Sequence, residues 1–152
     1  MSAKKGNDPM HLHKLLIGLA TLFFATSGMA ETFEVKMMNK STTGKMVFEP
    51  AYLAIAPGDT VTFIPESKGH NAETIKGMIP AGVKPFKSKI GKEFSVTLTA
   101  QGLYGIKCMP HYNIGMVALI QVGAAKNLDK ALTVKHKGKA KARFKLLFEK
   151  AK

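Results

Sequence analysis

The sequence predicts a mainly β fold, a two-sheet sandwich or barrel with a two-helix extension at its C-terminal end. Short runs that alternate apolar and polar side chains recur between Thr32 and Val122, as strands with one buried face require. Turns rich in glycine and proline separate them at the spacing of an all-β sandwich. After Gly123 the apolar residues space out to the period of amphipathic helices.

In chain order, residues 1–30 stand apart. Lys4, Lys5 and Lys14 precede an apolar run from Leu15 to Phe24, and Ser27-Gly28-Met29-Ala30 puts small residues before a cut. This is the layout of a secretory signal peptide cleaved after Ala30, and the run is short for an uncleaved anchor across about 30 Å of hydrocarbon. Residues 31–124 are expected to form the barrel. Phe33, Val35 and Met37 alternate in one strand, Val61 and Phe63 in another, and Phe94, Val96 and Leu98 in a third. Pro57-Gly58-Asp59 turns the chain ahead of Thr60–Pro65, Gln101-Gly102 precedes the run Leu103 to Cys108, and Gly115 precedes Met116 to Val122. Residues 125–152 make the extension. Asn127 is placed to cap a short helix with Asp129 in its first turn. A second helix starts near Lys139, with Ala140, Phe144, Leu147, Phe148 and Ala151 on one stripe. Such a basic helix can lie on a membrane, but the stripe is expected to dock on the barrel instead.

Charge and cysteine usage narrow the function. Residues 31–152 carry 20 basic and 9 acidic side chains, a formal charge of +11, which favours acidic partners and fast encounter with them. Export argues against nucleic acid as that partner. Cys108 is the only cysteine, although exported proteins usually pair theirs. It is therefore buried and inert, paired between molecules, or bound to a metal.

Its neighbours favour the metal. Of the histidines after residue 30, His136 sits in a lysine-rich linker and is expected to be solvated, which leaves His70 and His111. The segment Cys108 to Met116 reads Cys, two residues, His, four residues, Met. A Cys-x2-His pair alone could be half of a zinc site, but zinc would want further ligands, and residues 94–128 contain no carboxylate. Two imidazoles, a thiolate and a thioether match the trigonal set with a weak axial Met that suits copper. Period-two alternation places Tyr104, Ile106 and Cys108 on one face and Met116, Ala118, Ile120 and Val122 on one face of the next strand. Both sulfurs then point inward at one end of the barrel. The sequence alone does not bring His70 to that end, and singly His70, His111 and Met116 read as ordinary turn, loop and core residues.

At these residues the chain resembles the pseudoazurins, members of the cupredoxin family of small blue-copper proteins. The resemblance is carried by Met46-Val47-Phe48-Glu49-Pro50-Ala51-Tyr52, by Pro57 to Pro65, by Lys68-Gly69-His70-Asn71, and by Cys108-Met109-Pro110-His111-Tyr112 with Gly115-Met116. It covers nearly all of residues 31–134. The Cys-x2-His-x4-Met spacing separates it from azurins and the two-helix tail from plastocyanins, although the tail after Thr133 is richer in lysine than the resemblance leads one to expect. It implies a cupredoxin Greek-key barrel and one type 1 copper ion held by His70, Cys108, His111 and Met116. It also implies a monomer in the periplasm that takes electrons from cytochrome donors and passes them to a nitrite reductase or similar enzyme, with no stable membrane association once the leader is cut.

Around such a site, Asn71 is implied to tie the two ligand segments together. Pro110 lacks an N–H and cannot donate to the thiolate. Met109 and Ile114, with Pro110, would form an apolar patch at the edge of His111, the expected exit for the electron. Lys40, Lys68, Lys87 and Lys107 flank the site in the family's arrangement and read as a basic ring that steers an acidic partner. No serine nucleophile with a base and no phosphate loop suggests catalysis. The competing class is a protein that stores or delivers copper.

Overall fold

In the computed structural model, residues 28–151 are described; residues 1–27 of the expected signal peptide lie outside them. Strands β1 (Thr32–Ser41), β2 (Gly44–Glu49), β3 (Tyr52–Ile55), β4 (Thr60–Ile64), β5 (Glu73–Thr74), β6 (Phe94–Thr97), β7 (Gly102–Lys107) and β8 (Val117–Val122) are followed by helices α1 (Leu128–Leu132) and α2 (Gly138–Phe148). The strands form two four-stranded sheets, ordered β2-β1-β4-β6 and β3-β8-β7-β5. β1 runs parallel to β4 and β3 parallel to β8, while the other ladders are antiparallel. The protein is a mainly β two-sheet sandwich with two C-terminal helices, as the sequence predicts.

The alternation seen in the sequence sorts onto these sheets. Val35, Met37, Val61 and Phe63 are fully buried between them, facing Tyr104, Ile106 and Ile120 from the other sheet. Each such side chain contributes about 1.5–3 kcal/mol by leaving water. Phe94 and Val96 of β6 are only partly buried, as suits an edge strand, whereas Leu98 just beyond it is buried.

β7 and β8 are buried on both faces. Their inner set packs in the barrel, while Leu103, Val117 and Leu119 join a second cluster with Ala131, Ala140, Phe144 and Leu147 of the helices. The α2 stripe thus docks on the outside of the second sheet. Asn127 behaves differently from the expected cap. Its side chain makes no capping bond to α1; instead its Oδ1 accepts the N–H of Leu103 at 2.6 Å and its Nδ2 donates to the Leu103 carbonyl at 3.0 Å. An amide side chain offers both an acceptor and a donor, so here it continues the β7 edge rather than the helix. No helix among the described residues is long and apolar enough to cross a membrane.

Candidate metal centre

Three chain segments meet at one end of the sandwich. Cys108 stands just past β7 and Met116 just before β8. The loop between them is closed by its own backbone: Cys108 N–H donates to Met116 O (3.0 Å), His111 N–H to Cys108 O (3.1 Å) and Met116 N–H to His111 O (3.1 Å). His70 arrives on the connection between β4 and β5, its carbonyl taken by the N–H of Gly91 at 2.8 Å. Its place against the ligand loop is set by Asn71, whose Oδ1 accepts the N–H of Met109 at 2.8 Å. That is the tie the resemblance implied.

The ligand atoms form a small triangle. His70 Nδ1 lies 3.0 Å from His111 Nδ1 and 3.7 Å from Cys108 Sγ, and Sγ lies 3.4 Å from His111 Nδ1. The point equidistant from all three is about 2.0 Å from each, the length of a bond from imidazole nitrogen to a metal ion, and a shift of a few tenths of an ångström away from Sγ gives the longer bond, about 2.3 Å, that a thiolate makes. Met116 is fully buried in the same core cluster as Cys108, and its backbone is bonded to both neighbouring ligands. The donor set therefore fits copper: two imidazole nitrogens and a thiolate around one point, with a thioether on the same loop.

The electrostatics bear on the ligating form of each side chain. Burial, and then the nearness of His111, push the pKa of His70 below its ordinary value and favour the neutral imidazole that ligates. His70 donates its Nε2–H to Asn39 Oδ1 at 2.8 Å, leaving the Nδ1 lone pair for the triangle. Burial pushes the Cys108 thiol up, and backbone N–H groups of Asn71 and His111 partly offset this. Cys108 would bind a cation as the thiolate, its proton lost on coordination.

The outer residues are distributed as follows. His70 and Cys108 have no exposure, whereas His111 is half-buried. Beside it Met109 and Ile114 are 45 % and 47 % exposed, and Pro110 is exposed too, so an apolar surface surrounds the imidazole. Lys40 and Lys68 are exposed. Lys87 and Lys107 share Glu73, each at 3.4 Å, and Lys107 also lies over the Tyr112 ring, 5.5 Å from its centre.

His136 is not the solvated linker residue expected. It is half-buried, bonded through Nδ1 to Tyr112 Oη at 2.6 Å and stacked on Phe144 at 4.2 Å between ring centres. The docking of α2 beside the ligand loop, invisible in local sequence, encloses it. Asn39 and Arg143 were not singled out in the sequence. Nothing in β1 marks Asn39, but Arg143 had a signal: it is the single arginine among 23 basic residues.

Comparison with known proteins agrees with this geometry. Residues 35–123 match the family described as copper binding proteins, plastocyanin/azurin family. A pseudoazurin of Paracoccus pantotrophus is 49% identical over 136 residues, covering 88% of this chain and 94% of that protein. Solved pseudoazurins from Methylobacterium extorquens and Hyphomicrobium denitrificans superpose with TM-scores of 0.75 and 0.77, at 44% and 42% identity. They cover 78% and 80% of this chain, and 97% and 98% of their own.

Proposed function

The chain belongs to the plastocyanin/azurin family of copper-binding proteins and, within it, to the pseudoazurins; from that premise we propose that it shuttles single electrons in the periplasm. Its partners in this reading are cytochrome donors and a reductase of the denitrification type, such as copper nitrite reductase. Its copper is held by His70, Cys108, His111 and Met116, its leader is removed after Ala30, and residues 31–124 and 125–152 serve as barrel and extension. The observation that supports this most is the triangle of buried His70, buried Cys108 and half-buried His111.

Bound copper supplies a one-electron couple, and the chain does the rest. Soft sulfur suits the reduced ion and imidazole suits both states, so a fixed mixed set serves each oxidation state without rearrangement. Fixity comes from Asn39 on His70, Asn71 on the Met109 N–H, and the closed backbone of the ligand loop. His70 lies inside, so the half-exposed His111 edge is the exit. Its apolar collar suits the small, short-lived interfaces of redox encounters.

The test is the visible spectrum of the chain from residue 31 onward after addition of Cu(II). An electron carrier turns intensely coloured when oxidised, bleaches on reduction and recovers on reoxidation over many cycles. A copper store or delivery protein would hold Cu(I) without colour, and that result would replace the shuttle by the rival class.

A further inference from the structure

We infer that Arg143, on helix α2, is a positioning residue for the copper site: it fastens the loop that carries His111 and Met116, and it holds a positive charge beside that loop. The inference rests on the copper reading of those residues.

The guanidinium is spent on backbone. Nη1 donates to Gly115 O at 2.6 Å and to Met46 O at 2.8 Å, and Nη2 donates to Lys45 O at 3.0 Å. A planar fork can grip three carbonyls on two segments at once, whereas a lysine ammonium is a single point on a flexible stem. In a chain otherwise supplied with lysine, the one arginine sits where that fork is needed.

One of those carbonyls governs the ligand loop. Gly115 O and the N–H of Met116 belong to one peptide unit, and a peptide unit is planar. Arg143 grips its oxygen while its N–H donates to His111 O at 3.1 Å. With both ends of the plane held, the direction in which Met116 leaves the backbone is set, and with it the approach of the thioether.

Helix α2 presses on the loop at neighbouring points. Lys139 N–H donates to Asn113 O at 3.0 Å. Gly138, at φ +56°, leaves no room for a side chain against that same carbonyl. Gly115, at φ +98°, would bring a Cβ within 3.0 Å of Lys139 Cβ and 3.2 Å of Arg143 Cδ. Both glycines answer a positive φ and a close approach together.

The charge itself also acts. No carboxylate pairs with Arg143 among the described residues, and the group is half-buried, so it is screened less than the surface lysines. Burial lowers the guanidinium pKa from its usual value, yet the group stays cationic at any physiological pH. An unpaired cation beside the site disfavours the more positive, oxidised ion.

Three variants separate fork from charge: Arg143→Lys keeps the charge and loses the fork, Arg143→Gln loses both, and Lys145→Gln removes an exposed charge from the same helix. In copper-loaded protein, both Arg143 variants are expected to change the ratio of the visible charge-transfer bands and the symmetry of the EPR spectrum. Arg143→Gln should in addition shift the Cu(II)/Cu(I) balance toward the oxidised ion by about tenfold, or about 59 mV for one electron. Lys145→Gln should leave both readouts at wild type. If Arg143→Gln proves too unstable, Arg143→Lys alone decides the fork. The inference falls if Arg143→Lys matches the wild-type spectrum, or if Lys145→Gln moves the potential as far as Arg143→Gln. Amide exchange at Met116 in metal-free protein supplies a copper-independent arm. It should be faster in Arg143→Lys than in wild type, and equal rates would overturn the fastening role even if the wild-type protein never took up copper.

Discussion

Cys108 shows how much one sulfur is asked to do. It is fully buried, it faces two imidazole nitrogens, and backbone N–H groups of Asn71 and His111 reach it. Cys108→Ser is nearly isosteric, so thermal unfolding should show the fold intact while the intense colour, which needs a thiolate, disappears. A strongly coloured serine variant would refute the copper assignment. Hydrogen bonds to the thiolate withdraw density from it and favour the reduced ion. Pro110, two residues on, has no N–H to add. Pro110→Ala returns a donor and is expected to raise the reduction potential with all four ligands in place. Voltammetry of the two proteins at one pH checks this; an unchanged or lowered potential would leave Pro110 only the task of stiffening the loop. The ligands on the loop were legible because they are local: Cys108, His111 and Met116 lie within nine residues, and strand alternation aims both sulfurs inward. His70 was legible as a residue type but not as a neighbour. Its position depends on contacts to Asn39 on β1 and, through Asn71, to Met109, which no local pattern encodes.

Helix α2 and the linker before it are the elements where local reading stopped short. The apolar stripe of Ala140, Phe144 and Leu147 was readable from its period and is buried. What the stripe would cover was not, because the polar groups at its edge answer to the ligand loop. His136 is the case in point. Burial pushes its pKa below the ordinary value, and its Nδ1 in the neutral form accepts the Tyr112 O–H. A base whose folded pKa is depressed stabilises the fold above its unfolded value. That contribution is lost as pH falls through about 6.5, levelling off below the folded pKa. Metal-free wild type should therefore lose more melting temperature than His136→Gln as pH is lowered from about 7.5 to about 5. Carboxylates common to both proteins cancel in the difference. Parallel melting curves across that range would show that His136 titrates alike in both states.

At the scale of the whole molecule, the proposed role of the surplus of basic residues depends on where four of them lie in the chain. Lys40 follows Asn39, which holds His70; Lys68 lies two residues before His70; Lys107 precedes Cys108. We propose that these lysines and Lys87 form one basic face around His111, with Glu73 among them, within 3.4 Å of both Lys87 and Lys107. The face thus presents four cations and one anion. Lys40 and Lys68 have no such partner among the described residues and are free to reach a carboxylate on another protein. Steering by such a face acts on the association rate, and it is screened over about 10 Å at 0.1 M ionic strength. Replacing any one of the four lysines by Gln should slow electron transfer to an acidic redox partner at low salt. Glu73→Gln should speed it by making the face more positive. The pair Glu73→Gln with Lys87→Gln restores the original charge and should return the rate close to wild type, because at a distance the charges add. Stopped-flow rates at several salt concentrations decide the matter: wild type and all six variants should converge as ionic strength rises. Rates indifferent to salt, or a Glu73→Gln protein slower than wild type at low salt, would mean that the basic face does not guide the encounter. The apolar collar of Met109, Pro110 and Ile114 would then be left to select the partner by contact alone.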